Sequence, residues 1–419
     1  MNYKKIMLFV TARLPYPPTS GRKNVMYNYC RIMHDIYHLK IVIVSFLERG
    51  DAVSPKPDFI EKVYVLPNVT ARKKLTNLLT KTLIAGKFPL QVSLFWDDSI
   101  MAEIERILTA EQPDYTMADM VRTTEYLRDY SGYKIADLDD LLSLRYQRQL
   151  EIDLKYVNPY GAYLYSLPRF IQQLLELKFL KRQIMKKEVK LLSNYEKEIC
   201  EIYDKTVFVA EQEARKLNQQ LGKKNAMSIP LGVDVDYYGA YYRKLEVVPH
   251  SICFLGAMSV SHNEAGVIHF IEDILPLVLK RVPDAKFCIV GGGITEQVKT
   301  RASEHVILTG RVKDVRDYIC RHQVFVCPLI FGSGIKTKNL EAMAMGVPVV
   351  TTTIGAENID AKNDNEWLVA DTDEAFADCV VRVMEDQELA HKLQKNAYQF
   401  VCNYFTWDNA TKKFEELLG

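Results

Sequence analysis

The run FVCPLIFGSGIKTKNLEAMAMGVPVVTTTIGAEN, residues 325–358, decides the fold. Its opening residues are apolar without interruption, as in a strand covered on both faces, and this strand ends at Leu329. Gly332 and Gly334 then let the backbone turn tightly with its N–H groups exposed. The spacing predicts a helix from about Thr337 to Gly346, where the glycine and the following Pro348 stop it. A second apolar strand, VPVVTTT, follows, and strand–turn–helix–strand is the unit of a parallel α/β sheet. The unpaired N–H groups and the dipole at the start of this helix make an anion site. Lys336 and Lys338 stand at that same end, where the dipole disfavours cations, and a bound anion explains the arrangement. Glu341 lies in the second turn and reads either as a favourable carboxylate near a helix start or as an acceptor for two sugar hydroxyls.

The same alternation extends in both directions. KKIMLFVTA, LKIVIVSFL, IEKVYVLP, GYKIADLD and KTVFVAE read as strands of a first half, with amphipathic helices between them. Residues 231–250 lose helical periodicity and carry Gly232, Gly239 and Pro249, which reads as a linker. The pattern restarts with SICFLGAM, AKFCIVGGG, HVILTG and VFVCPLI, and closes on helices from Thr372 to Leu418. The expected organisation is an N-terminal Rossmann-like, acceptor-binding domain (1–230) and a linker (231–250). A C-terminal Rossmann-like domain (251–400) and a final helix (401–419) packing back on the first domain complete it. Ligands of open parallel sheets bind beyond the carboxyl ends of the strands, so a cleft is the natural site.

With 419 residues, 48% of them hydrophobic and 26% charged, the chain matches ordinary globular usage. The 54 basic and 53 acidic residues argue against a nucleic-acid binder. Eight cysteines without a C-x-x-C pair, and eight histidines without a ligand cluster, point to buried free thiols and to no structural metal. No segment approaches the ~18 uninterrupted apolar residues of a membrane span, and a cytoplasmic location is expected.

The 325–358 run resembles glycosyltransferase family 4, the retaining, nucleotide-sugar-dependent group with the GT-B fold. The resemblance rests on the Gly-rich turn, the basic pair, LEAMAMG-PVV and the following G-AE. It continues through FLGAM with Asn263 beyond it, IVGGG and LTGRVKDVRDYI, and more thinly through YPPTSGRKNVMYNY, DLDDLLSLRY, VFVAEQEARKL and IPLGVD. What it implies is an α/β GT-B protein with two Rossmann-like domains facing each other across a cleft. Glu341 would hold the ribose hydroxyls, while Lys336, Lys338 and the amides around Ser333 and Gly334 would bind the diphosphate of a nucleotide-sugar donor. Arg311 and Val312 would border the base, and Gly21 would let the first N-terminal loop close on the phosphates. Lysines and a helix end can stabilise a departing diphosphate without a metal or other cofactor.

The sequence also departs from the family. Ser333 stands where many members carry the first of two glutamates, and Ala257-Met258 with SVSHNEAG replaces the usual Arg and Lys. There is no histidine between His38 and His250, so Asp119 or Arg122 is the candidate beside the transferred sugar. The catalytic candidates are therefore Lys336, Glu341 and Asp119. The Asp-x-Asp pairs at 137/139, 234/236 and 371/373 are too common in an acid-rich chain to mark a metal, and capping is the better reading of Asp137, Asp139 and Asp140. From Lys62 to Trp96 there are six basic residues and no acid, and residues 168–192 carry seven basic residues against two acids. Both stretches read as ordinary helices burying leucines or as elements lying on an anionic membrane surface. The reading is a glycosyltransferase acting on a saccharide or lipid-linked saccharide acceptor, peripheral at the inner membrane face, in polysaccharide or glycan assembly. The alternatives are a non-catalytic GT-B subunit, or glycan-binding partner of another transferase, and a nucleotide-sugar epimerase.

Overall fold

The computed structural model describes residues 5–18, 21–48, 50–151, 177–240, 244–332 and 334–419. Ser333, and residues 168–176 of the second basic stretch, lie outside the described residues. The chain divides into two units: Met1–Leu144 with Lys186–Pro230 and Ala410–Gly419, and Arg145–Met185 with Leu231–Asn409. Residues 145–185, read from sequence with the first domain, thus group with the second unit.

The first unit is built on a seven-stranded parallel sheet of order β3-β2-β1-β4-β5-β6-β7. Its strands are β1 (Ile6–Thr11), β2 (Lys40–Ser45), β3 (Ile60–Val65), β4 (Tyr115–Asp119), β5 (Lys134–Asp139), β6 (Lys205–Phe208) and β7 (Ala226–Ser228). β1 and β2 are buried along almost their whole length, which is why they read as continuous apolar runs, whereas only Ile60 of the edge strand β3 is buried. Residues 410–419 pack into this unit. Phe414 meets the Tyr29 ring edge-on at 4.9 Å, and the Tyr37 and Tyr133 hydroxyls donate to the carbonyls of Thr411 and Leu417 at 2.7 and 3.0 Å.

The second unit carries a six-stranded parallel sheet of order β10-β9-β8-β11-β12-β13. The strands are β8 (Val248–Leu255), β9 (Lys286–Val290), β10 (Val306–Gly310), β11 (His322–Cys327), β12 (Val349–Thr351) and β13 (Leu368–Val369). In both sheets the order reverses beside the first strand, at β1/β4 and at β8/β11, the switch point where open α/β sheets bind ligands. The stretch read as a linker contains the short helix α1 (Val235–Gly239), capped by Asp234, and β8 begins at Val248. All eight cysteines are free, and seven are buried.

The long helix α2 (Lys178–Ile202) stabilises the first unit through buried carboxyls that accept loop N–H groups. Glu188 accepts from the Leu90 amide at 2.7 Å, and Glu196 from the Ser143 amide at 3.0 Å. Burial pushes Glu188 up to about 7 and Glu196 up to about 8. An unfolded glutamate titrates near ~4.3. The folded state therefore holds these protons longer, and the associated stability is complete at low pH and lost as pH rises to about 8. The urea midpoint is expected to fall between pH 5.5 and pH 8, and Glu196→Gln to flatten that slope; an unaltered slope in the variant would contradict the assignment.

Candidate functional site

In the second unit, the carboxyl ends of the strands converge on helix α3 (Thr337–Ala344). Its amphipathic run buries Asn339, Leu340, Ala342, Met343 and Ala344 against the sheet, and this anchors its N-terminus at the strand ends. Gly334 precedes it at φ 66°, a left-handed conformation that favours glycine. Lys336, at the N-cap position, is 5% exposed, and its ammonium donates to the Gly334 carbonyl at 2.7 Å. The Gly-rich turn is also held from outside. The Arg148 guanidinium donates to the Gly332 carbonyl at 2.8 Å and pairs with both Glu357 oxygens at 2.6 Å.

Lys338 points the other way, to Asn263 Oδ1, and lies 4.2 Å from the centroid of the Phe254 ring. Asn263 is itself oriented by donating to the Ala257 carbonyl at 3.0 Å. Burial, with the neighbouring Lys336 charge, pulls the Lys338 ammonium down to about 8, while Cys327 and Glu341 oppose the shift. His262 sits in the same neighbourhood, edge-on to Phe331. Burial holds its imidazole well below the usual range, and the charges of Lys338, Arg145 and Lys336 push the same way. Lys336 and Lys338 are thus two neighbouring cations with little water to screen them.

Glu341 lies one turn into α3. Burial raises its carboxyl, while a hydrogen bond from the Tyr238 hydroxyl of α1 and the Lys338 charge pull it back. The Gly291–Gly293 turn follows β9, where the Gly291 amide donates to the Gly310 carbonyl at 3.1 Å and the Gly292 carbonyl accepts from the Met258 amide at 2.9 Å. Gly291 has φ +146°, and a Cβ there would stand 2.0 Å from the Gly256 carbonyl oxygen, so only glycine fits. Arg311 follows β10 and is exposed, its Cβ 3.5 Å from where a Gly292 side chain would begin; Val312 is half-buried on the unit's core. After β12, the Thr352 hydroxyl donates to the Leu329 carbonyl at 2.7 Å and accepts from the Gly355 amide at 3.0 Å, which sets the G-AE loop at the same sheet edge.

The structure thus brings Gly334, Lys336, Lys338 and Glu341 together, with Arg311 and Val312 at the end of β10. Gly21 and Asp119 belong to the first unit. There Arg22, directly after Gly21, donates to Asp119 Oδ1 through Nε at 2.7 Å, and its guanidinium forms ion pairs with Asp119 at 2.7 Å, Asp137 at 2.8 Å and Asp139 at 3.1 Å. Asp119 is fully buried, and its second oxygen accepts the Ala12 amide at 3.4 Å. Both Asp119 oxygens thus have partners within the first unit. Arg122 donates to Gln91 at 2.9 Å and stacks on Phe95. Asp137 and Asp139 are partners of Arg22 rather than helix caps, and burial pushes Asp137 up to about 6 against that pairing. Among the described residues no group of three or more His, Cys, Asp or Glu side chains is placed to hold a metal.

Tyr238, His262, Asn263, Arg148 and Glu357 were not reached as site side chains by sequence reasoning. Tyr238 lay in a stretch read as a linker, and Arg148 lies 209 positions from its partner Glu357. Only Asn263 and Glu357 carried a signal, as part of FLGAM-N and G-AE.

Residues 249–386 match the family model for glycosyl transferases group 1. The phosphatidyl-myo-inositol mannosyltransferase of Mycobacterium tuberculosis (strain H37Rv) is 27% identical over 193 residues, 43% of this chain and 50% of that protein. The chain spans about half the length of the curated relatives it matches. Sucrose-phosphate synthase from Thermosynechococcus elongatus superposes with a TM-score of 0.67 at 13% identity, over 99% of this chain and 98% of that one. Anabaena HepE, solved in complex with UDP-glucose, gives 0.65 at 12% identity, over 99% of both chains. The fold is that of GT-B glycosyltransferases. Residues 249–386 are thus similar to glycosyl transferases group 1, and the chain as a whole has the fold of GT-B proteins.

An anion in this pocket would favour the ammonium form of Lys338. Binding of UDP is expected to be strongest below pH about 8 and to weaken above it by up to roughly tenfold per pH unit. Calorimetry across pH 7–9 reads this, and Lys338→Gln should remove the dependence.

Proposed function

We propose that the chain transfers a sugar, with retention, from a nucleotide diphosphate donor to a saccharide or lipid-linked saccharide in polysaccharide or glycan assembly. The observation that carries the proposal is the partly desolvated lysine pair at the start of α3, one turn from a carboxylate aimed by Tyr238. Lys336, Lys338 and the amides beside Gly334 take the diphosphate, whose charge grows as the glycosidic bond breaks. Glu341 accepts from two ribose hydroxyls, and Arg311 and Val312 border the base. In the first unit, Gly21 lets the loop after β1 approach phosphate, and Asp119 acts through Arg22 as a positioning residue.

HepE was solved with a nucleotide sugar, and the mycobacterial relative is named for a lipid acceptor; both favour this donor and acceptor class. Retention rests on the resemblance to family 4. Independence of metal rests on the lysines, which supply the cationic charge a metal would otherwise bring. The basic stretches favour work at the cytoplasmic face of a membrane, and no helix among the described residues is long and apolar enough to cross one.

Glu341→Ala is expected to raise the donor Kd at least about tenfold, since hydrogen bonds to a charged group contribute ~1.5–3 kcal/mol each. Calorimetry with nucleotide sugars reads this, and unchanged affinity would sink the ribose role. Product NMR should show the donor's anomeric configuration kept, and chelator should leave nucleotide release unchanged. Nucleotide binding without turnover across acceptors would instead favour a non-catalytic subunit, the reading that Ser333 and the engaged Asp119 prompt.

A further inference from the structure

The segment Ala71–Ile84 of the first unit buries two polar side chains and leaves three large apolar ones exposed. It runs as an α-helix over Ala71–Asn77 and continues as a π-helix over Leu78–Ile84. On the inner face, Asn77 is 2% exposed and donates to the Ser93 and Trp96 carbonyls at 3.0 and 2.7 Å. Five residues on, buried Thr82 shares a hydrogen bond of 2.6 Å with the Ser93 hydroxyl. Residues four and five apart lie on one side of a helix closed by i→i+5 bonds. The opposite side therefore gathers Leu79, Leu83 and Ile84, which are 46%, 37% and 81% exposed.

Along the segment itself the charge has one sign. No Asp or Glu occurs from residue 63 to residue 96, while Arg72 and Lys87 are exposed at the two ends of the segment. Lys187, from α2, reaches across and donates to the Leu83 carbonyl at 2.5 Å. The acid next in sequence to this stretch that bonds into it, Asp98, is paired with Lys73 at 2.7 Å. Protein interfaces are depleted in lysine. Leucine and isoleucine framed by lysine and arginine, on an element held to its own domain by polar bonds, match an anionic bilayer, where the apolar tips enter the headgroup–acyl boundary and the cations stay with lipid phosphates.

We infer that Ala71–Ile84 is a docking element for an anionic lipid bilayer, with Leu79, Leu83 and Ile84 as the inserting side chains. The inference deepens the reading of a lipid-linked acceptor and rests on that reading for its purpose. The test is sedimentation of the full chain with vesicles of phosphatidylcholine alone or mixed with phosphatidylglycerol. The wild type should pellet with the mixed vesicles and not with the neutral ones. Leu79→Ser, Leu83→Ser and Ile84→Ser combined should lower partitioning by roughly tenfold or more. The paired variant Arg72→Glu with Lys87→Glu should lower it as well. Because the three apolar side chains are exposed, the triple variant should melt no lower than the wild type.

Failure of the wild type to pellet with mixed vesicles, equal pelleting with neutral ones, or undiminished binding by the triple variant each overturns the inference. So does a dimer that the triple variant abolishes while vesicle binding persists, since the face would then belong to a second copy. Nucleotide release with a water-soluble acceptor separates the two readings. Release without vesicle binding refutes the docking element alone, and vesicle binding without release refutes the transferase reading alone.

Discussion

The cost of keeping a lysine ammonium largely out of water, beside a second cation and at the positive end of a helix, organises the second unit. Lys338 meets this cost with one neutral oxygen, Asn263 Oδ1, and the face of the Phe254 ring, and its hold on the proton drops accordingly. Everything around it serves that placement. The helix Ser261–His269 after β8 presents Asn263, the missing Cβ of Gly256 leaves room for the ammonium, and buried α3 fixes the direction of the side chain. A bound anion would stabilise an ammonium held in this way.

The first unit treats charge in the opposite manner. At the carboxyl ends of β4 and β5, one guanidinium, Arg22, is shared among Asp119, Asp137 and Asp139, so the cation is already matched within the fold. Similar sheet ends in the two units thus carry different electrostatics, one self-satisfied and one with two neighbouring cations. Where the first unit departs from self-satisfaction is on its outer surface, in the exposed apolar side chains of Ala71–Ile84.

Much of this was legible in residue order. Strands buried on both faces announce themselves as apolar runs, and the two sheets follow from their alternation with helices. β4 was missed as a strand because DYTMAD is short and mixes polar residues, two of which, Thr116 and Asp119, are buried through hydrogen bonds to residues distant in sequence. The α1 helix was hidden because five residues do not establish a period. Gly334, Lys336, Lys338 and Glu341 were found together because they lie within eight positions on one turn and one helix.

The sequence alone therefore determined the fold class, the place of the helix after the Gly-rich turn and the lysines at its start, since each depends on neighbours along the chain. Tertiary structure alone decided which groups surround them. Tyr238 reaches Glu341 from a segment a hundred residues away, Arg148 closes on Glu357, and Asp119 proves to be bound to Arg22. Periodicity reports which face of an element is buried, not what is buried against it. Whether a carboxylate is available or already engaged is a property of that second kind.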